Sequence, residues 1–214
     1  MKTWKKKLLC AAALFAAFLT WTAAVCLVDV QPIGPQGTRV GLAGMNALAH
    51  RATGVHMSLY VLTDWLSILP VALCACFGAL GLWQWIRRGK LLAVDHSLLA
   101  LDGFYIAVAA AYLFFECVVI NVRPVLIDGR LETSYPSSTT MLVLCVMSTA
   151  MMQANMRLKN PACRKYALLG MGAFTALMVL GRLISGVHWL SDIVGGALLS
   201  AALVTLYSAA CTRK

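Results

Sequence analysis

Six apolar runs, roughly 8–28, 60–86, 98–121, 138–156, 166–184 and 189–210, take up most of a 214-residue chain. A helix that crosses a bilayer needs about 20 mostly apolar residues, and each run is near that length. The overall balance agrees. Hydrophobic residues make up 61% of the chain, charged residues 12%, and the mean hydropathy is +0.80, whereas a soluble domain is about half apolar and about a quarter charged. The expectation is an all-α integral membrane bundle of six transmembrane helices, a single membrane-embedded domain over residues 1–214.

The basic residues orient it. Lys2, Lys5, Lys6 and Lys7 precede the first run, and Arg87, Arg88 and Lys90 separate the second from the third. Arg157, Lys159, Arg164 and Lys165 separate the fourth from the fifth, and Arg213 and Lys214 end the chain. These are 13 of the 18 basic residues, and alternating helices put them all on one side. The positive-inside rule makes that side, and with it both termini, cytoplasmic. The first run resembles a signal peptide, but it is longer than the usual apolar core and no cleavage site follows, so an uncleaved anchor helix in the plasma membrane is expected. The net charge of +10 forms no basic stripe interleaved with aromatics, which argues against nucleic acid as a partner. Eight cysteines lie mostly within the apolar runs and show no zinc-ligand spacing. Between the first two runs, residues of about 40–54 read as a short interfacial helix.

The opposite, extracytoplasmic side gathers polar residues. Run three ends at Arg123-Pro124, run four begins at Pro136-Ser137-Ser138-Thr139, run five ends at Arg182, and run six begins at His188 with Asp192 one turn deeper. Charged groups at such depth should face the bundle or a polar cavity. Residues four apart share a helix face, so Asp192 can orient one nitrogen of His188 and leave the other as a nucleophile or base. Two arginines offer planar donor forks for phosphate, and the start of run four offers free backbone N–H groups to an anion. The set reads as a phosphate pocket with a histidine nucleophile.

These residues resemble the motifs of the type 2 phosphatidic acid phosphatase family, which shares its site with vanadium haloperoxidases. The third motif, "GRLISGVHWLSD", has Arg182, five residues, His188, three residues and Asp192, with Gly181 where the family has Ser. In the first, Arg123-Pro124 is present but Glu116 takes the Lys position; in the second, "PSST" keeps Pro136 and Ser137 but has Ser138 for Gly and Thr139 for His. The resemblance implies a six-helix membrane core, His188 as nucleophile, Asp192 as its partner, and Arg123, Arg182, Ser137 and Ser138 as phosphate ligands. It implies lipid phosphates or diphosphates as substrates in the bilayer, attacked at the outer face, and no metal or other cofactor.

Thr139 departs from that pattern where the family's histidine is thought to protonate the leaving group. Three readings follow. The acid comes from elsewhere, with Glu116, Asp128, Glu132 and His56 as candidates; Glu116 lies two helical turns before Arg123 on the expected helix. Or the substrate is a diphosphate, such as a polyprenyl diphosphate, whose phosphate leaving group has a second pKa of about 6 and departs largely unaided. Or catalysis is lost, and the pocket only binds or carries a lipid phosphate. A lipid phosphotransferase is a further alternative.

Overall fold

The computed structural model describes residues 2–212. Six helices in it are long and apolar enough to cross a membrane. They are α1 (Thr3–Leu27), the pair α3 (Met57–Leu66) and α4 (Ile68–Arg88), α5 (His96–Cys117), α6 (Ser138–Arg157), α7 (Pro161–Ile184) and α8 (Leu190–Cys211). A short α2 (Ala43–Thr53) forms where the interfacial segment is expected.

The second apolar run is not one straight helix. It breaks at Ser67, three residues before Pro70. A proline ring clashes with the carbonyl four residues back and supplies no N–H, so a helix bends there. The bend sets α3 apart from α4 and lays it against α7. Gly181 permits this contact, because a Cβ at 181 would meet Thr63 Cγ2 at 2.7 Å.

α6 and α8 form the centre. α6 is the least hydropathic of the six spans and the most buried. Its Thr139, Thr140, Thr149 and Gln153 are shielded by neighbouring helices rather than exposed to lipid. α8 carries Gly195 and Gly196, where added Cβ atoms would strike the Tyr135 ring and the Ser137 carbonyl. Small residues of this kind let backbones approach closely where no hydrophobic effect drives helices together. α1 pairs with α8 along the most extensive helix contact in the fold.

The start of α1 and the end of α8 come to the same end of the bundle, where Lys7 Nζ donates to Ser208 Oγ at 2.7 Å. Asp95 gathers Arg88 at 2.9 Å and Arg157 at 3.2 Å there, and Gln153 bonds the Tyr207 hydroxyl at 2.6 Å. Arg213 and Lys214, which close the basic side in the sequence, lie outside the described residues.

At the other end, residues 118–137 do not continue α5 as the apolar run to 121 suggests. The helix stops at Cys117, and the chain makes a small hairpin with bridges Val122–Thr133 and Ile127–Arg130. Its turn is Asp128-Gly129, both at positive φ (50° and 75°), the twist that two-residue hairpin loops favour.

Candidate phosphate site

The hairpin, α3, the start of α6 and the α7–α8 connection converge on His188. The Arg123 N–H bonds the Glu132 carbonyl at 3.0 Å across the hairpin. The paired side chains form an ion pair, with Arg123 Nε 2.9 Å from Glu132 Oε2 but outside hydrogen-bond geometry. Arg123 Nη1 is thereby held 3.1 Å from His188 Nε2. An arginine can only donate, so Nε2 is the unprotonated nitrogen and Nδ1 carries the proton. Nδ1 faces Asp192 Oδ2 at 3.7 Å, a charge contact longer than a hydrogen bond.

Asp192 is wholly buried. Its Oδ2 accepts the Trp189 N–H at 2.9 Å, which caps α8, and its Oδ1 accepts from Asn121 Nδ2 at 3.1 Å. Asn46 joins from α2, bonding the N–H and hydroxyl of Ser191 at 3.0 and 2.9 Å. Burial pushes the His188 imidazole down to about 4; the nearby Arg123 and Arg182 charges act in the same direction and Asp192 opposes them. His188 is therefore neutral near pH 7, as a nucleophile must be.

Arg182 ends α7 almost fully buried. Its Nη2 donates to Asp64 Oδ1 at 2.9 Å and to Thr139 Oγ1 at 2.6 Å. The Tyr60 ring lies under both guanidinium groups, 4.8 Å from Arg182 and 5.6 Å from Arg123. Among the described residues of the site, Arg123 Nε, Arg182 Nε and Nη1 and His188 Nδ1 are buried without a hydrogen-bond partner, Arg123 Nε keeping its charge contact with Glu132. Each buried unpaired donor costs about 1–3 kcal/mol. The site is thus poorly paired for stability and well supplied with donors for an anion.

Ser137 caps α6, its Oγ accepting the Thr140 N–H at 3.4 Å, while its own N–H bonds the Asp192 carbonyl at 3.0 Å. Ser138 and Thr139 reach a cavity of about 480 Å³ that runs between α4, α5 and α6 toward Cys74, Tyr105 and Val146. Its deeper wall is mainly apolar.

The structure thus brings together His188, Asp192, Arg123, Arg182 and Thr139, with Ser137 and Ser138 at the adjoining helix start. It does not join Glu116 to Arg123. Glu116 Oε2 accepts from Thr133 Oγ1 at 3.1 Å, and Arg123 takes Glu132 instead, because α5 ends before the helical register can align the two. Asp128 sits at the hairpin tip, and the His56 ring bonds the Thr53 carbonyl at 2.9 Å. Among the described residues, no three His, Cys, Asp or Glu side chains cluster as metal ligands do. Sequence reasoning missed Tyr60, Asp64, Asn46 and Asn121. For Asp64 a signal existed: an acid inside an apolar run is a functional candidate in its own right.

A buried histidine between an arginine and an aspartate, with a second arginine beside it at the end of six helices long and apolar enough to cross a membrane, makes a candidate phosphate site of a membrane protein. The chain belongs to the PAP2 superfamily, whose profile matches residues 106–214, half of the chain. The fold is similar to that of the transmembrane PAP2-type phosphatidylglycerolphosphate phosphatase from Bacillus subtilis, with a TM-score of 0.60 and 19% identity over 93% of each chain. No curated protein matches the sequence. The family segment contains His188, Asp192, Arg123, Arg182 and residues 137–139; Asn46, Tyr60 and Asp64 stand outside it.

Proposed function

We propose that the protein is a membrane phosphohydrolase of lipid phosphates or diphosphates that works through a phosphohistidine at His188. The observation that carries this reading is the buried His188, its Nε2 3.1 Å from Arg123 Nη1, beside two arginines whose donors are only partly paired; burial lowers its pKa and so favours the neutral ring. Arg182 offers Nε and Nη1 to phosphoryl oxygens. Arg123 moves from Nε2 to the incoming phosphate, which frees the nitrogen lone pair for attack. Asp192 stabilises the positive charge that the ring gains. Ser137 and Ser138, at the start of α6, add dipole and donors for the same anion. Residues 138–139 line the mostly apolar 480 Å³ cavity, which suits a substrate whose phosphate sits on a lipid chain. By the distribution of lysine and arginine, this site faces the extracytoplasmic side of the plasma membrane and both termini are cytoplasmic.

The favoured substrate is a diphosphate, such as a polyprenyl diphosphate, because Thr139 carries no acid for an alkoxide leaving group. The test is phosphate release by the purified protein in detergent. A polyprenyl diphosphate, phosphatidic acid and phosphatidylglycerolphosphate are compared, with His188→Ala as control. Release lost in His188→Ala supports the reading. Tight binding of all three lipids without release favours a catalytically silent lipid-phosphate binder, the alternative that Thr139 itself raises. Product formed only when an acceptor lipid is supplied indicates a phosphotransferase.

A further inference from the structure

Asp64 stands where the phosphate site opens into the apolar cavity. Arg182 Nη2 holds it at 2.9 Å and holds Thr139 Oγ1 at 2.6 Å with the same nitrogen. The Asp64 side chain is 62% exposed, while Arg182 is 2% exposed and His188 and Asp192 are no more than 1% exposed. It is more exposed than Glu132, at 42%, and unlike Glu132 it lines the cavity together with Thr139.

Hydrolysis of a phosphohistidine requires water to lose a proton as it attacks phosphorus. A threonine hydroxyl does not accept that proton at neutral pH. Asp192 is enclosed behind His188 with its oxygens taken by Trp189 and Asn121. Glu132 is paired to Arg123 on the His188 side and does not line the cavity with Thr139, and Glu116 is bonded to Thr133. Asp64 is left at the Arg182–Thr139 corner. One guanidinium ties it to the site: Nη2 holds the carboxylate, while Nε and Nη1 are buried without a hydrogen-bond partner and are left for a phosphoryl group.

We infer that Asp64 is the proton acceptor for the water that hydrolyses the phosphohistidine, a role that rests on the phosphohydrolase reading above. In the first step His188 Nε2 bonds phosphorus as the bond to the leaving oxygen breaks, and a diphosphate releases its lipid monophosphate as an anion. In the second step the water oxygen bonds phosphorus, the P–N bond breaks, and the water proton passes to Asp64. His188 returns to its neutral form, inorganic phosphate departs, and Asp64 returns its proton to solvent.

The experiment is rapid-quench kinetics on the full chain in detergent, with a polyprenyl diphosphate labelled at the terminal phosphate. In Asp64→Asn, the initial burst of lipid monophosphate keeps its wild-type rate. Steady-state phosphate release falls about 100-fold or more, in the range general bases contribute, and alkali-stable phosphoenzyme accumulates. If the burst slows as much as the steady state and no phosphoenzyme builds up, Asp64 merely braces Arg182 and the assignment is overturned. Should Asp64→Asn fail to fold, Asp64→Ala with added formate serves instead: phosphate release recovers with formate concentration, and no recovery in folded protein that still forms phosphoenzyme also overturns the assignment. Wild-type protein that forms no phosphoenzyme and releases no phosphate defeats the phosphohydrolase reading itself, whatever the variants do.

Discussion

Asp192 Oδ2 lies 3.7 Å from His188 Nδ1 and receives the Trp189 N–H at 2.9 Å. The carboxylate therefore both caps α8 and faces the protonated side of the histidine. The capping bond fixes Asp192 independently of His188, so the imidazole meets a stationary charge. The other nitrogen is left toward Arg123 and, in the proposed reaction, toward phosphorus.

The protonation of His188 should follow this geometry. Burial and the Arg123 and Arg182 charges lower its pKa to about 4, and Asp192 works against them. A protonated ring cannot attack, so the active fraction is complete above this value and falls tenfold per pH unit below it. Titration of ring-labelled histidine by NMR reads the group directly and keeps the substrate's own ionisation, at about 6, out of the profile. His188 should titrate well below its ordinary value of 6.5, and lower still in Asp192→Asn, which removes the opposing charge. A midpoint near 6.5 in both proteins contradicts the enclosed site.

Asn121 should act through Asp192 rather than on substrate. Its Nδ2 donates to the buried carboxylate at 3.1 Å. Asn121→Ala leaves that oxygen short of a partner, at about 1–3 kcal/mol. The expected result is a lower kcat, by about tenfold, with KM little changed, because an interaction felt chiefly in the transition state has been weakened. Asn121→Asp should be worse, since it buries a second carboxylate against the first. A change in KM alone removes Asn121 from this role.

The spans were legible in the sequence because apolar length is a local property. So were His188, Asp192 and Arg182, whose spacing along two adjoining helices is set by chain geometry. The hairpin was not seen because "VVIN" continues an apolar run without a breaker, and only the Asp128-Gly129 pair marks the turn. Moving the end of α5 back to Cys117 is what separates Glu116 from Arg123. Asp64 meets Arg182 across 118 positions of sequence, through a bend at Ser67 and a close approach at Gly181. No local pattern contains that contact.

The approach at Gly181 can be tested by itself. A serine there restores the residue the family motif carries, but its Cβ would lie 2.7 Å from Thr63 Cγ2 and 3.8 Å from Leu59 Cδ1. Overpacking of this kind costs about 1–3 kcal/mol. Gly181→Ser should lower the thermal midpoint in detergent and reduce turnover, because α3 carries Tyr60 and Asp64. Thr63→Ala in the same chain should recover both, since the Thr63 hydroxyl bonds only carbonyls of its own helix, Leu59 and Tyr60, at 2.9 Å. Equal stability of Gly181→Ser and the wild type shows that α3 does not need the space.

Substitution at Thr139 should change which substrates react more than whether the site binds. Its hydroxyl accepts from Arg182 at 2.6 Å, and the residue borders the 480 Å³ cavity, so a larger side chain has room on that side. A lipid diphosphate expels a phosphate and needs little protonation of its leaving group. A monoester such as phosphatidic acid must expel an alkoxide, and a positioned acid there is worth about 10²–10⁴-fold. Thr139→His should therefore raise monoester turnover by about tenfold or more while diphosphate turnover changes little. Phosphate release measured on both lipids, in both proteins, gives the ratio. If the wild type already hydrolyses phosphatidic acid as fast as a polyprenyl diphosphate, and histidine at this position leaves the ratio unchanged, then leaving-group protonation does not set specificity, and a different group supplies the proton.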